Sequence, residues 1–478
     1  MASRRLLVVI VACALLVVAC TGTETAEEPM APPDVFAPTP SIGDRLPPTT
    51  VRQAPTTTTD LESNVIYLVD PLTLDALPGV EPIPMGDWSW GVSSPNGRWL
   101  ALLYGDDSGL NEGVRLVDVS EWELVGEWSQ LTGSPMSVSD DGVIHALTWS
   151  APRPQLMRTG VGTEVPEIVV DLPSQFSTWD LPRQWGGRIL LAGQTFDSTS
   201  GQGTLSIIGV DQSTGVTAEV ALPEARIGAT ELVDLGDDRT GIIDSYPALA
   251  WDEDNDRLVV VHATEDVVTE LDLRTGETTP HRFGPGSDDH AGDPIAQHEM
   301  NSSDLWTSTR RTAALGSGGA VMYVAGLIGE FAERDDSPVS IMRPSGIMAV
   351  DTRTWEIVDR LDAPISDLFI SPDGHRLIGT GYSQESTTSR YLSESSGLYV
   401  IDPIDLEVIV HHPPDRAEQY FGAVSYSRDR SLAYVTSYST VDIVDVIDLD
   451  SGAIVGNRRS IQVFGEVATV AEVTGGGD

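Results

Sequence analysis

LFISPDGHRLIGTG, residues Leu368–Gly381, places two apolar runs on either side of the polar turn Ser371–Gly374. Ser and Asp favour such turns by hydrogen bonding to nearby backbone, and Gly accepts the positive φ that they require. The stretch therefore predicts one β-hairpin. Related turns recur at Ser94–Gly97, Ser139–Gly142, Trp185–Gly187, Asp252–Asp256, Ser317–Gly319 and Ser427–Arg430.

A second pattern alternates with these hairpins: an apolar run ending in Asp, a short turn and another apolar run. Its copies are centred on Asp70, Asp118, Asp211, Asp272, Asp351, Asp402 and Asp448, with a weaker copy around Thr159. The two hairpins together predict a unit of four short strands. Four-stranded units repeated along a chain are typical of an all-β fold, the β-propeller.

The stretch from Gly346 to Val455 resembles YVTN-type and quinoprotein-like propeller repeats, a WD-repeat-like class, and the resemblance extends over most of residues 64–475. It implies a fold and no particular activity. Seven hairpins of the first kind and eight of the second predict eight blades, with Ile461–Val473 supplying both strands missing beside Val65–Val80. Seven blades are the alternative, because the repeat around Thr159 is weak.

The N-terminus predicts export and lipid attachment. Arg4 and Arg5 precede a short apolar run that ends in Val17-Val18-Ala19-Cys20. This arrangement is typical of a signal peptide over residues 1–19, and its end resembles the lipobox of bacterial lipoproteins. The resemblance implies lipidation of Cys20 and anchoring on the extracytoplasmic face of the cell membrane. Residues 20–62 are rich in Pro and Thr and predict a disordered linker, followed by the propeller domain over 63–478.

Composition limits the partners. The 478-residue chain has 72 acidic and 28 basic residues, a formal net charge of −44, and no lysine. Such a charge disfavours nucleic acid, and the missing lysines exclude Schiff-base chemistry. We expect a monomer that meets an extracytoplasmic protein, a glycan or a small ligand.

Some units have more residues than four short strands and tight turns require. Nearly all of these additional residues lie in the connections between the second and third strands of a unit and in those between units. These connections are Gly105–Gly113, Gly193–Gly203, Pro223–Tyr246, Gly284–Arg311, Leu327–Ser345 and Ser383–Ser396. In a propeller these connections lie at one end, so the sequence predicts an acidic, loop-rich binding face there. Its candidate residues are Asp106, Asp107, Asp237, Asp238, Asp335 and Asp336.

One of these connections also carries residue types that bind metal ions. Carboxylate oxygens and imidazole nitrogens are common ligands of divalent cations. The candidate ligands are Asp288, Asp289, His290, Asp293, His298 and Glu299. Their spacing matches no metal motif, and the sequence favours an exposed polar loop as the explanation. No cofactor is predicted, and a divalent cation is the one candidate.

Two functions remain open on the sequence. The first is a lipid-anchored binding or scaffold module, which needs no catalytic residues. The second is a metal-assisted, lactonase-like hydrolase with its site at the top of the central channel, which needs carboxylates and imidazoles converging near the axis. The sequence favours the first. The tryptophans, among them Trp99, Trp122 and Trp128, lie within or beside strands and predict packing between blades.

Overall fold

The hairpin at Leu368–Gly381 is present in the computed structural model. Strands Asp367–Ile370 and Leu377–Ser386 pair antiparallel. In the turn, the Ser371 hydroxyl donates to the Asp373 carboxylate over 2.5 Å, and Gly374 has a φ of 75°. The structure describes residues 49–52, 65–84, 88–94, 96–105, 113–131, 133–148, 153–173, 176–178, 183–196, 202–212, 214–236, 239–284, 305–334, 337–387, 391–415, 419–427, 430–438, 443–459 and 461–464.

The described residues form strands almost throughout, with two 3-10 turns, Glu253–Asn255 and Ser317–Gly319. The strands are β1 Thr49–Arg52, β2 Val65–Tyr67, β3 Ile83–Pro84, β4 Trp88–Ser93, β5 Trp99–Gly105, β6 Gly113–Asp118, β7 Glu123–Trp128, β8 Gly133–Val138, β9 Val143–Thr148, β10 Gln155–Gly160, β11 Glu167–Asp171, β12 Phe176–Thr178, β13 Arg183–Trp185, β14 Arg188–Phe196, β15 Gln202–Asp211, β16 Thr217–Asp234, β17 Thr240–Tyr246 and β18 Ala248–Asp252. They continue with β19 Arg257–Val261, β20 Val267–Asp272, β21 Thr278–Arg282, β22 Leu305–Leu315, β23 Val321–Arg334, β24 Ser337–Pro344, β25 Ile347–Asp351, β26 Glu356–Leu361, β27 Asp367–Ile370, β28 Leu377–Ser386, β29 Tyr391–Ile401, β30 Val408–His412, β31 Tyr420–Tyr426, β32 Leu432–Tyr438, β33 Ile443–Asp448, β34 Ile454–Arg459 and β35 Ile461–Phe464. Within these ranges no helix has the length and apolar character needed to cross a bilayer.

The strands form a propeller-like arrangement of antiparallel sheets. Five separate sheets have four strands each: β3-β2-β1-β35, β4-β5-β6-β7, β8-β9-β10-β11, β18-β19-β20-β21 and β31-β32-β33-β34. A sixth sheet of fifteen strands contains three further four-stranded runs, β13-β14-β15-β16, β22-β23-β25-β26 and β27-β28-β29-β30. The all-β prediction is confirmed.

The Asp-based turns hold the outer hairpins as the sequence predicts. The carboxylate of Asp272 accepts hydrogen bonds from the backbone N–H of Arg274 at 2.8 Å and of Thr275 at 2.9 Å. The corresponding hydrogen bond, from the backbone N–H two or three residues later to the Asp carboxylate, is present at Asp70, Asp118, Asp211, Asp351, Asp402 and Asp448. These side chains satisfy turn amides that the strand ladder leaves without partners.

The core lies between successive four-stranded units. Leu190 and Leu205 of one unit pack with Leu249 and Leu258 of the next in a single buried cluster. The other clusters likewise join successive units. Each unit is therefore buried on both faces by its neighbours, which is how a propeller forms a core from short strands.

The closing sheet differs from the expected one. The sequence predicts that Ile461–Val473 supplies both strands beside Val65–Val80. In the structure only one of these two strands, β35, lies in this segment. The other is β1, which lies within the predicted linker. Thr50 of β1 pairs with Tyr67 on one side and with Val463 on the other. Thr and Val are strong strand formers, so Thr49–Arg52 can pair despite the Pro- and Thr-rich composition around it.

Several segments expected as loops are extensions of strands. Strand β16 continues through Asp234, and β23 and β24 pair out to Arg334 and Ser337. The expectation of loops is wrong here, because these stretches pair as strands: the end of β16 with β17, and β23 with β24. Strand β17 runs parallel to β22, the one parallel pair among the described strands. These extensions all leave the ends of strands at which the sequence places its long connections.

Tryptophan side chains connect neighbouring units, as predicted. The indole N–H of Trp99 donates to the backbone carbonyl of Asp140, that of Trp122 to Glu81, and that of Trp128 to Thr163. Trp185 donates to the Asp256 carboxylate at 2.8 Å. Each indole ring thereby contributes apolar packing between units, while its N–H remains hydrogen-bonded.

Candidate functional site

A cleft of about 640 Å³ opens at the end of the molecule where the strands are extended. It lies between the β13–β16 unit and the β18–β21 unit. Its lining residues are Pro223, Glu224, Arg226, His262, Glu265, Val267, Pro280, His281 and Arg282. Small-molecule sites in proteins have about this volume, roughly 300–1,000 Å³.

A break in strand β16 forms one wall. Leu222 pairs with Leu205 and Arg226 pairs with Thr204, so three residues of β16 stand out from the ladder between them. Pro223 has no backbone N–H to donate and favours such a break. The bulge leaves Glu224 exposed and Arg226 half-buried beside the cleft. Bulges of this kind commonly re-aim side chains next to functional sites.

His262, at the start of the β19–β20 turn, contributes a buried imidazole to the lining. It is 4% exposed, and its Nε2 lies 2.9 Å from the Thr269 hydroxyl. Burial lowers the pKa of His262 to about 4, although the nearby Glu224 carboxylate acts in the opposite direction. The imidazole is therefore neutral at neutral pH and presents a fixed polar group rather than a charge.

The rest of that turn is held from behind by the next unit. The Arg311 guanidinium donates through Nε to the Ala263 carbonyl at 3.2 Å and lies 3.6 Å from the Asp266 carboxylate. Burial lowers the pKa of Arg311, against the favourable effect of Asp266. These contacts fix the backbone that carries Glu265.

The end of β21 forms the remaining wall. The ring of His281 stacks on Trp355 from the following unit, with centroids 4.5 Å apart and planes 17° from parallel. Pro280 and Arg282 are exposed on either side of it. The cleft therefore has apolar parts and converging polar groups on elements of two neighbouring units. Contacts from the following unit support its turn and its β21 wall.

A second polar cluster lies near the starts of strands β27 and β31. Arg310 donates to the Asp367 carboxylate at 2.7 Å, and its guanidinium lies 5.6 Å from the ring centre of Tyr382. Tyr382 meets Tyr420 edge to face, with ring centres 5.9 Å apart. This cluster ties β22, β27, β28 and β31 together, and a structural role accounts for it.

Two carboxyl groups, the half-buried Asp244 and the buried Asp445, have unusual acidity. Asp244 on β17 accepts a long hydrogen bond of 3.4 Å from the Tyr246 hydroxyl, and burial raises the pKa of Asp244 to about 7. Burial and the neighbouring Asp415 raise the pKa of Asp445 to about 6, opposed by His412. Neither carboxyl lines the cleft.

The residues predicted from sequence as sites all lie outside the described ranges. They are Cys20, the candidate metal ligands Asp288, Asp289, His290, Asp293, His298 and Glu299, and the candidate binding residues Asp106, Asp107, Asp237, Asp238, Asp335 and Asp336. The signal peptide and all of the predicted linker except Thr49–Arg52 also lie outside those ranges. In the part of the chain that the structure describes, no group of three or more His, Cys, Asp or Glu side chains is placed to hold a metal ion.

Comparison with known proteins adds little beyond fold. No protein-family model matches the chain, and no curated protein sequence matches it. Among solved structures it is similar to a dihydro-heme d1 dehydrogenase, NirN, in complex with DHE, at 14% identity and a TM-score of 0.45 over 93% of this chain and 82% of that one. It is also similar to BamB from Moraxella catarrhalis, at 11% identity and a TM-score of 0.41 over 86% and 91%. TolB from Acinetobacter baumannii matches at 11% identity and a TM-score of 0.32 over 77% of each chain. These three are β-propeller proteins, and at such identities the likeness stops at the fold.

Proposed function

We propose that the chain is an extracytoplasmic lipoprotein, anchored through Cys20, whose β-propeller of eight blades is a binding module. The cleft is the observation that carries the binding role. It has a suitable volume, rigid walls from neighbouring units, and polar side chains that converge on one space.

Eight blades are supported by the strand pairing and the core. Five four-stranded sheets and three four-stranded runs of the large sheet follow one another along the chain. One cluster joins β2 to the β4–β7 sheet through Ile66 and Leu100, and another joins the residues after β2 to the β31–β34 sheet through Leu74 and Tyr434. A ring closed in this way supplies a rigid scaffold for a site at its surface.

Export and anchoring rest on residues 1–20. The basic start, the short apolar run and the Val-Val-Ala-Cys ending are the features that support them. Mass spectrometry of the mature N-terminal peptide tests the anchor. A diacylglyceryl group on Cys20, together with release of a Cys20→Ser variant from the membrane fraction, is the expected result, and an unmodified Cys20 contradicts it.

Binding is tested with the lipid-free chain, residues 21–478, which retains β1. The thermal midpoint is measured against a panel of short peptides, oligosaccharides and carboxylic acids. A ligand at 100 times its Kd stabilises the folded state by about 2.7 kcal/mol. Pro280→Trp adds bulk inside the cleft and is expected to abolish the shift. Thr278→Trp adds the same bulk two residues earlier on β21, outside the cleft, and is expected to preserve it. Equal shifts in both variants contradict the cleft as the site.

The metal-assisted hydrolase stays an untested prediction, because its candidate ligands at 288–299 lie outside the described residues. Elemental analysis of the purified chain, with melting curves in the presence and absence of a chelator, tests it. One tightly bound divalent ion per chain, lost together with stability on chelation, supports that alternative.

A further inference from the structure

Within the cleft, acidic and basic groups are equal in number. The lining includes the carboxylates of Glu224 and Glu265 and the guanidiniums of Arg226 and Arg282. The whole chain has 72 acidic residues against 28 basic ones. The cleft is therefore locally balanced on a strongly acidic protein.

From this balance we propose that the cleft binds a small zwitterion of peptide type, with a free amino group and a free carboxylate. The inference rests on the proposed binding function and adds the class of ligand. The ammonium group of such a ligand meets Glu224 and Glu265, and its carboxylate meets Arg226 and Arg282. Each contact is a charge-assisted hydrogen bond, which is stronger than one between neutral groups.

Both guanidiniums of the cleft, those of Arg226 and Arg282, already interact with other groups of the folded protein. A guanidinium has five N–H donors in a planar fork, so it can keep one partner and still donate to a carboxylate.

The neutral side chains suit the body of a short peptide. Pro223, Pro280 and Val267 offer apolar contact, and the neutral imidazole of His262 offers a polar group without adding a charge. An extended tripeptide spans about 10 Å, which is compatible with a cleft of about 640 Å³.

The field of the whole protein works against a ligand with a net negative charge. A net charge of −44 repels anions at distances up to about the Debye length, roughly 8 Å at physiological ionic strength. A zwitterion approaches without that repulsion and then finds a partner for each of its charges inside the cleft.

The test uses one peptide in four forms. Trialanine with both ends free, N-acetylated, C-amidated, or capped at both ends is titrated calorimetrically into the lipid-free chain, residues 21–478. We expect the free form to bind, each singly capped form to bind at least tenfold more weakly, and the doubly capped form to bind weakest. Equal affinity for all four forms overturns the inference. So does binding of the free form that Pro280→Trp leaves intact.

Paired variants assign the two ends of the ligand. Glu224→Gln with Glu265→Gln is expected to remove the preference for a free amino end, and Arg226→Gln with Arg282→Gln the preference for a free carboxyl end. Glu219→Gln, exposed on β16 outside the cleft, is the matched control and is expected to keep both preferences.

The outcomes also separate this inference from the proposed function. If no form of trialanine produces heat on titration, the inference of a zwitterionic ligand is overturned. If a different ligand of the panel binds the wild type but not Pro280→Trp, the proposed binding function still stands. Loss of binding in Glu219→Gln as well as in the paired variants overturns the assignment of the ends.

Discussion

The buried imidazole of His262 makes a quantitative prediction about stability and pH. In the unfolded chain its pKa is 6.5, and in the folded protein burial lowers the pKa to about 4. Between these two values the unfolded state binds the proton more readily, so stability falls as the pH is lowered through the window from about 6.5 to 4. Each tenfold difference in proton affinity is worth about 1.4 kcal/mol, which gives about 3 kcal/mol over the whole window. About 2 kcal/mol of this is lost between pH 7 and pH 5.

His262→Gln removes the titrating group. Urea unfolding of the wild type and the variant at a series of pH values is expected to show their difference in free energy changing by about 2 kcal/mol from pH 7 to pH 5, in favour of the variant at low pH. Thr269→Val is the control, because it removes the hydrogen-bond partner of His262 and keeps the imidazole. Stability curves for wild type and His262→Gln that run parallel from pH 7 to pH 5 would refute the reasoning.

Three further predictions follow from polar contacts in the interior and at its edge. Arg257→Met leaves the buried carboxylate of Asp252 without the guanidinium 2.7 Å away, and is expected to lower the free energy of unfolding by about 3–5 kcal/mol in urea titrations; a loss below about 1 kcal/mol contradicts this. Asp244→Asn removes a carboxyl whose pKa burial raises to about 7, so relative to wild type it is expected to become more stabilising as the pH rises from 5 to 8, and a pH-independent difference contradicts it. Trp185→Phe deletes the hydrogen bond to Asp256 and is expected to cost about 1 kcal/mol by the same assay, whereas an unchanged urea midpoint shows that the bond contributes nothing.

The parts of the fold that could be predicted are those determined by residues close together in sequence. The Ser371–Gly374 turn closes through the Ser371 hydroxyl and the left-handed Gly374. The Asp272 turn closes through amides two and three residues on. Because the residues that form each turn are neighbours in sequence, their spacing is visible without a structure.

The closing sheet could not be predicted in the same way. Val51 of β1 pairs with Gln462 of β35, and nothing local in a Pro- and Thr-rich stretch indicates so distant a partner. The extensions of β16, β23 and β24 were equally hidden, because their polar and glycine residues are typical of loops and their pairing comes from tertiary contacts.

The cleft also depends on packing between units. Glu224 and His262 belong to different sheets and meet because the two sheets pack against each other. The one local indication was Pro223, which lies within a stretch that otherwise alternates as a strand and marks a break in the ladder. The sequence places the long acidic connections at the end where the cleft opens, and the acidic residues named there remain predictions.

Hydrogen–deuterium exchange of the lipid-free chain, with and without saturating trialanine, tests the central claim most directly. A ligand in the cleft slows exchange in the backbone that surrounds it. We predict slower exchange in peptides covering residues 223–226, 262–267 and 280–282. Protection confined to other segments, such as the inner strands β27 and β31, or unchanged exchange at saturation, would contradict the assignment of the cleft as the binding site.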